Sequence, residues 1–162
     1  MRNQVLAGVG AGIVAGVIFG FMMQIMSAPT PDGRAMPMMA MVAQVVRSDS
    51  LVVGWLYHLF NSAVIGGIFG WLLGHRVAGR LGLGAGWGAS YGVIWWILGA
   101  LILMPVFLGM RAFAPLTMPP MRPVAMGSLM GHLLFGVVLG TTFAWLRGRA
   151  TNRTLGATRP MT

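Results

Sequence analysis

The chain contains no cysteine, no lysine and no glutamate, and its only acidic residues are Asp32 and Asp49. Without cysteine there is no disulfide, no thiolate metal site and no thiol nucleophile. No carboxylate pair, nucleophilic cysteine or lysine is present for ordinary acid–base or covalent catalysis, and the chain is not expected to be an enzyme. Neither aspartate falls in an apolar run. A relay of intramembrane carboxylates is therefore absent, which argues against a proton-coupled transporter. Charged residues of all kinds make up 8% of the 162 residues. Soluble domains carry about a quarter, so the composition is that of a membrane protein.

Apolar residues fill the gap, at 57% of the chain. Four runs, roughly 5–26, 51–74, 84–109 and 124–146, are each long enough to cross a bilayer, which takes about 20 residues. The first exceeds a signal-peptide core of about 7–15 residues and no A-x-A cleavage site follows it, so it reads as a retained helix. All 11 basic residues are arginine, and the net charge is +9. In a soluble domain that charge would suggest nucleic acid. Here the arginines sit at helix ends and in the tail, so the expected partners are anionic lipid headgroups and not nucleic acid. Arg2, Arg76, Arg80, Arg147, Arg149, Arg153 and Arg159 fall on one side of the membrane, and Arg34, Arg47, Arg111 and Arg122 on the other with both aspartates. The positive-inside rule then puts both termini in the cytoplasm of a bacterial plasma membrane.

The second and fourth runs repeat each other. The segment from His58 to Gly74 aligns without gaps to that from His132 to Gly148, and eight of 17 positions are identical, among them the histidine, a glycine, a phenylalanine and the tryptophan. Each half holds two spans, so the halves share one orientation, as in a parallel repeat. The expected fold is all-α, a four-helix transmembrane bundle of two tandem helical hairpins. It forms a single domain over 1–149, with halves at about 1–76 and 77–149, and a basic disordered tail over 150–162.

Packing is written in the 25 glycines, about twice the usual share. Gly8, Gly12, Gly16 and Gly20 lie in the first run and Ser62, Gly66, Gly70 and Gly74 in the second. Gly84, Gly88 and Gly92 lie in the third, and Gly136, Gly140, Ala144 and Gly148 in the fourth. Each series has the small-xxx-small spacing that lets helix backbones approach closely in lipid. His58 and His132 continue two of these stripes and should face protein at matched depth. Residues 27–50 read as a long outer connection with a short interfacial helix over Met36 to Val46, and Pro105 should kink the third helix near its outer end.

Three residue types can carry chemistry. A neutral imidazole is a good ligand for haem iron, copper, zinc or a chlorophyll magnesium, so His58 and His132 are the cofactor candidates. The competing reading is a hydrogen bond across a tight helix pair, with Asn61, Ser62 or a backbone carbonyl as partner. Thirteen of 15 methionines fall in two windows, Met22 to Met41 and Met104 to Met130. Thioethers are soft and suit Cu(I), which makes Met36, Met38, Met39, Met118 and Met121 candidate metal ligands above the histidines. The competing reading is adaptable apolar packing. Trp55, Trp71, Trp87 and Trp145 fit interfacial belts, whereas Trp95 and Trp96 sit mid-span, for lipid contact or helix packing, or against a flat ligand.

The run Tyr91-Gly92-Val93-Ile94-Trp95-Trp96-Ile97-Leu98-Gly99, with Leu103-Met104-Pro105, Leu108-Gly109-Met110, Gly131-His132-Leu133, Gly136 and Gly140, resembles a loose group of small uncharacterised bacterial and archaeal proteins with four transmembrane helices. The resemblance covers most of residues 5–147. It implies the four-span fold and no particular activity. The first expectation for function is therefore a non-enzymatic structural or interaction subunit, as a homo-oligomer or within a larger membrane complex. The alternative is a binding module for haem or Cu(I), and a weaker one is a small-solute channel.

Overall fold

The structure, a computed structural model, describes residues 1–29 and 35–157; residues 30–34, with Asp32 and Arg34, and 158–162 lie outside the described residues. Helix α1 spans Arg2–Ile25. Two short strands, β1 (Ser27–Pro29) and β2 (Ala35–Pro37), pair antiparallel with Ala28 opposite Met36. They lead into α2 (Met38–Val45), α3 (Leu51–Val77) and α4 (Leu81–Trp95). A π-helical stretch, Trp96–Leu103, continues α4 into the short α5 (Met104–Phe107). Then come α6 (Ala114–Thr117), a 3-10 turn over Pro119–Met121, and α7 (Arg122–Ala157). The last helix runs past the boundary drawn at 149, so the first part of the expected tail is helical.

Four segments are long and apolar enough to cross a membrane: Arg2–Ile25, Leu51–Val77, Leu81–Phe107 and Pro119–Ala150. Between 22% and 39% of the most apolar window of each is buried inside the protein. Each span therefore leaves much apolar surface outside the core, which water would penalise and lipid does not.

Two helix pairs are held by glycine. In α1 and α3, a methyl group added to Gly8 would run into the carbonyl oxygen of Gly66, and one on Gly66 into that of Gly8; Gly12 meets Ser62 in the same way. In α4 and α7, Gly84 meets Gly140 and Gly88 meets Gly136, both reciprocally, while Gly92 meets the carbonyl of His132. Backbones this close replace side-chain interdigitation with dispersion and weak Cα–H···O contacts of about 0.5–1 kcal/mol each. The contacts of Gly8 and Gly12 correspond one for one to those of Gly84 and Gly88. Helix α1 also packs broadly on α7 and so stands between α3 and α7. Phe69, Leu139 and Phe143, fully buried, fill the centre.

The ends are fastened by specific backbone geometry. Gly79, with φ at +73°, makes the tight turn between α3 and α4, and its N–H donates to the carbonyl of Ala144 at 3.0 Å. Helix α2 closes the opposite end. Its Met39 carbonyl and Ala43 lie on Gly54 of α3, where any Cβ would be crowded. Arg47, in the left-handed region at φ 57°, ends α2 and turns the chain into α3.

The π-helical stretch has an identifiable cause. Pro105 has no N–H to give to the carbonyl of Leu101 four residues earlier, and its ring crowds that carbonyl. Leu101 instead accepts from the N–H of Phe113 at 2.6 Å, with Phe113 held left-handed at φ 62°. Within the stretch the N–H of Met104 reaches back five residues to Gly99. Where a kink was expected at Pro105, the structure shows a widened, π-helical stretch on its N-terminal side.

Candidate functional site

His58 and His132 lie in the half of the bundle that carries α2, and both line one cavity of about 250 Å³. His58 is buried on α3. Its Nε2 lies 2.9 Å from the carbonyl oxygen of Gly16 on α1. A carbonyl can only accept, so Nε2–H donates. Gly16 is glycine because a Cβ there would strike the Ser62 side chain. Ser62 Oγ in turn donates to the carbonyl of His58 at 2.8 Å.

His132 is tied differently. Its Nδ1 lies 2.8 Å from the carbonyl of Ser128, one turn earlier on the same helix, so Nδ1–H donates there. Ser128 Oγ sits 3.4 Å from the same nitrogen. In the neutral ring this leaves the lone pair on Nε2, which has no hydrogen-bond partner among the described residues. Phe19 of α1 joins the two histidines, with its ring edge-on to His58 at 5.6 Å and to His132 at 4.9 Å between centroids.

Helices α3 and α4 touch at Tyr91. Its hydroxyl donates to the carbonyl of Ile65 at 2.8 Å, and its ring packs against Phe69 at 5.3 Å. Toward α2, the π-helical stretch and α3 separate, and the cavity opens between them. Val64, Leu103 and Phe107 line it and are 44%, 45% and 59% exposed, so its mouth faces sideways between two spans. Trp95 and Phe135 form walls, Tyr57 and Asn61 add polar groups, and Met38 and Val42 of α2 roof it. Neither the Tyr57 hydroxyl nor the Asn61 amide makes a hydrogen bond among the described residues.

Comparison with protein-family models, curated proteins and solved structures finds no match for this chain.

Of the five methionines singled out in the sequence, the structure brings only Met38 to the cavity that both histidines line. Met39 is buried against α3, Met36 is half-buried on β2, Met118 is exposed, and Met121 is buried in the 3-10 turn. The methionines beside the histidines are Met23, Met38 and Met104. Sequence reasoning missed Met23 and Met104 because it gave weight to runs such as Met36-Pro37-Met38-Met39, and proximity in a run does not survive folding. It also passed over Phe19. The mid-span tryptophans divide: Trp95 lines the cavity, and Trp96 Nε1–H donates to the Ala125 carbonyl at 3.1 Å as a packing contact. At the other end of the bundle Arg149 lies 4.0 Å over the Trp145 ring and Arg76 5.8 Å over Trp87, and His75 is exposed.

Proposed function

We propose that this chain is a non-enzymatic, multi-pass protein of a bacterial plasma membrane that acts as a binding module for a small lipid-soluble ligand, taken up sideways from the bilayer. The observation that carries this reading is the cavity of about 250 Å³ lined by both intramembrane histidines and open between α3 and the π-helical stretch. Its volume lies just below the roughly 300–1,000 Å³ of pockets for drug-sized molecules. It suits one ring or headgroup, with an apolar tail left between the helices. His132 Nε2 offers an acceptor in its neutral ring, and Asn61 and Tyr57 offer further polar contacts, so the ligand's buried end carries a hydroxyl or similar donor. An ionisable residue inside a membrane segment is by default a pointer to a functional site.

The fold proposed with it is two tandem hairpins, α1 with α3 and α4 with α7, arisen by duplication. The matched glycine contacts and the matched sequence segments support it. Both termini lie in the cytoplasm and the Arg–Trp pairs meet anionic headgroups, as the arginine distribution favours. Kinship with the four-span group that the sequence resembles is part of the same proposal and brings no activity with it.

Haem is less well supported than a smaller ligand. His58 Nε2 is committed to Gly16, and Phe19 packs on both imidazoles where a flat macrocycle would have to enter. A Soret band in the purified protein would favour haem over this reading. The direct test fills the cavity. Gly99 lines it, and a Cβ there meets nothing within 4 Å. Protein purified from membranes should yield a near-stoichiometric small molecule in an organic extract, and Gly99→Phe should yield none. Equal extracts from both proteins would overturn the proposal.

A second reading, the structural or interaction subunit, has its own observation. Gly82 and Gly86 are exposed on α4 with open space at both Cβ positions, and Ser90 continues their row. This row is separate from Gly84, Gly88 and Gly92, which α7 covers. A second copy could approach there as closely as α7 does. On this reading Gly86→Leu converts an oligomer to a monomer in light-scattering of detergent-solubilised protein. A monomeric wild type removes it. The solute-channel reading has no comparable support, because glycine packing closes the bundle around α1.

A further inference from the structure

A second cavity, of about 30 Å³, lies beside the first at the α2 end of the bundle. Five methionines line it: Met38 and Met41 from α2, Met104 from α5, Met110 from the following turn, and Met121 from the 3-10 turn. These residues come from four separate segments and from both methionine windows of the sequence. The remaining lining is apolar apart from Ser128.

We propose that Met38, Met41, Met104, Met110 and Met121 form a site for one soft monovalent cation, Cu(I) in the cell. The donor set decides the class. Neutral thioethers bind Cu(I) or Ag(I) and offer little to magnesium, calcium or zinc, which prefer oxygen, nitrogen or thiolate. The size agrees with a single ion, since a cavity needs about 10–15 Å³ to hold one water-sized sphere. The position adds a second element. Met38, Met104 and Ser128 line both cavities, and Ser128 is the hydrogen-bond partner of His132, which lines the larger one. That histidine donates Nδ1–H to a backbone carbonyl and keeps Nε2 free, the arrangement that orients metal-ligating histidines. This donor set differs from the one the sequence suggests. It keeps Met38 and Met121, drops Met36, Met39 and Met118, and adds Met41, Met104 and Met110.

The site shares Met38, Met104 and Ser128 with the larger cavity, and its test does not require that cavity to hold a ligand. The full-length protein in detergent would be titrated anaerobically with Cu(I) against a chromophoric Cu(I) chelator, and with Ag(I) by calorimetry. X-ray absorption at the copper edge would identify the bound atoms. The expected result is one equivalent per chain with a shell of sulfur neighbours. Met104→Leu with Met121→Leu conserves volume, and should weaken binding by at least about tenfold with thermal unfolding little changed. Should that pair fail to fold, Met110→Leu in the half-buried turn serves the same purpose with a smaller loss. His58→Leu should leave Cu(I) binding unchanged. Absence of binding, undiminished binding in the leucine variants, or a shell without sulfur would each overturn the proposal.

Discussion

His58 and His132 hold matching places in the two similar segments, yet their hydrogen bonds differ in kind. His58 bonds across a helix pair to Gly16, whereas His132 bonds within its own helix to Ser128. Interhelical hydrogen bonds in membranes contribute about 0.6 kcal/mol on average and up to about 1.7. His58→Leu should therefore lower stability by about that amount in a mixed-micelle unfolding titration. His132→Leu should cost less, since its loss unties no helix from another. Equal costs would mean that the Gly16 bond does not hold the pair. Tyr91→Phe belongs with His58. It removes the hydroxyl that joins α4 to Ile65 of α3, and should cost about 1 kcal/mol. One of the competing sequence readings, a backbone carbonyl as partner, fits His58. The residue supplying that carbonyl was not legible, because Gly16 is marked only as a packing position.

Glycines of the same helix have opposite roles, and substitution separates them. A methyl at Gly88 meets the backbone of Gly136, whereas one at Gly86 meets nothing within 4 Å. Gly88→Ala should destabilise the α4–α7 pair by about 1–3 kcal/mol, the usual cost of overpacking. Gly86→Ala should be neutral or slightly stabilising in the same titration. A similar loss in both would show that α4 is rotated from the position described. The third span makes a second prediction. Pro105→Ala restores a donor for the Leu101 carbonyl, which then competes with the N–H of Phe113. Hydrogen exchange at the Phe113 amide should accelerate, and an unchanged rate would separate the π-helical stretch from the proline. Span positions were legible because apolar length is a strong signal. The small-xxx-small spacing also identified the inward stripes of α1, α3, α4 and α7. Pro105 pointed to a kink and not to a widened helix, because the widened register depends on the distant amide of Phe113. The hairpin of Ser27–Pro29 with Ala35–Pro37 carried no alternation to read, and α2 emerged close to the short helix expected between Met36 and Val46.

At the scale of the molecule, the tight pairs explain where space is left. Glycine draws α1 onto α3 and α4 onto α7, and α1 bridges the pairs through α7. Helices α3 and α4 meet at Tyr91 and then part, because the π-helical stretch leads Leu103 and Phe107 away from α3. The cavity with His58 and His132 occupies that divergence, and its mouth faces the side of the bundle. The divergence and the cavity in it were not legible in the sequence. The repeat suggests two related histidines at similar depth, but not that α1 would stand between their helices and present Phe19 to both rings. The central claim is that this space holds a ligand drawn from the bilayer. A crystal structure of the protein grown from a lipidic mesophase, with native lipids retained, tests it most directly. The account predicts non-protein density between α3 and the π-helical stretch, in contact with His132 Nε2. A cavity closed by its own side chains, with Leu103 and Phe107 packed against Val64, would contradict it.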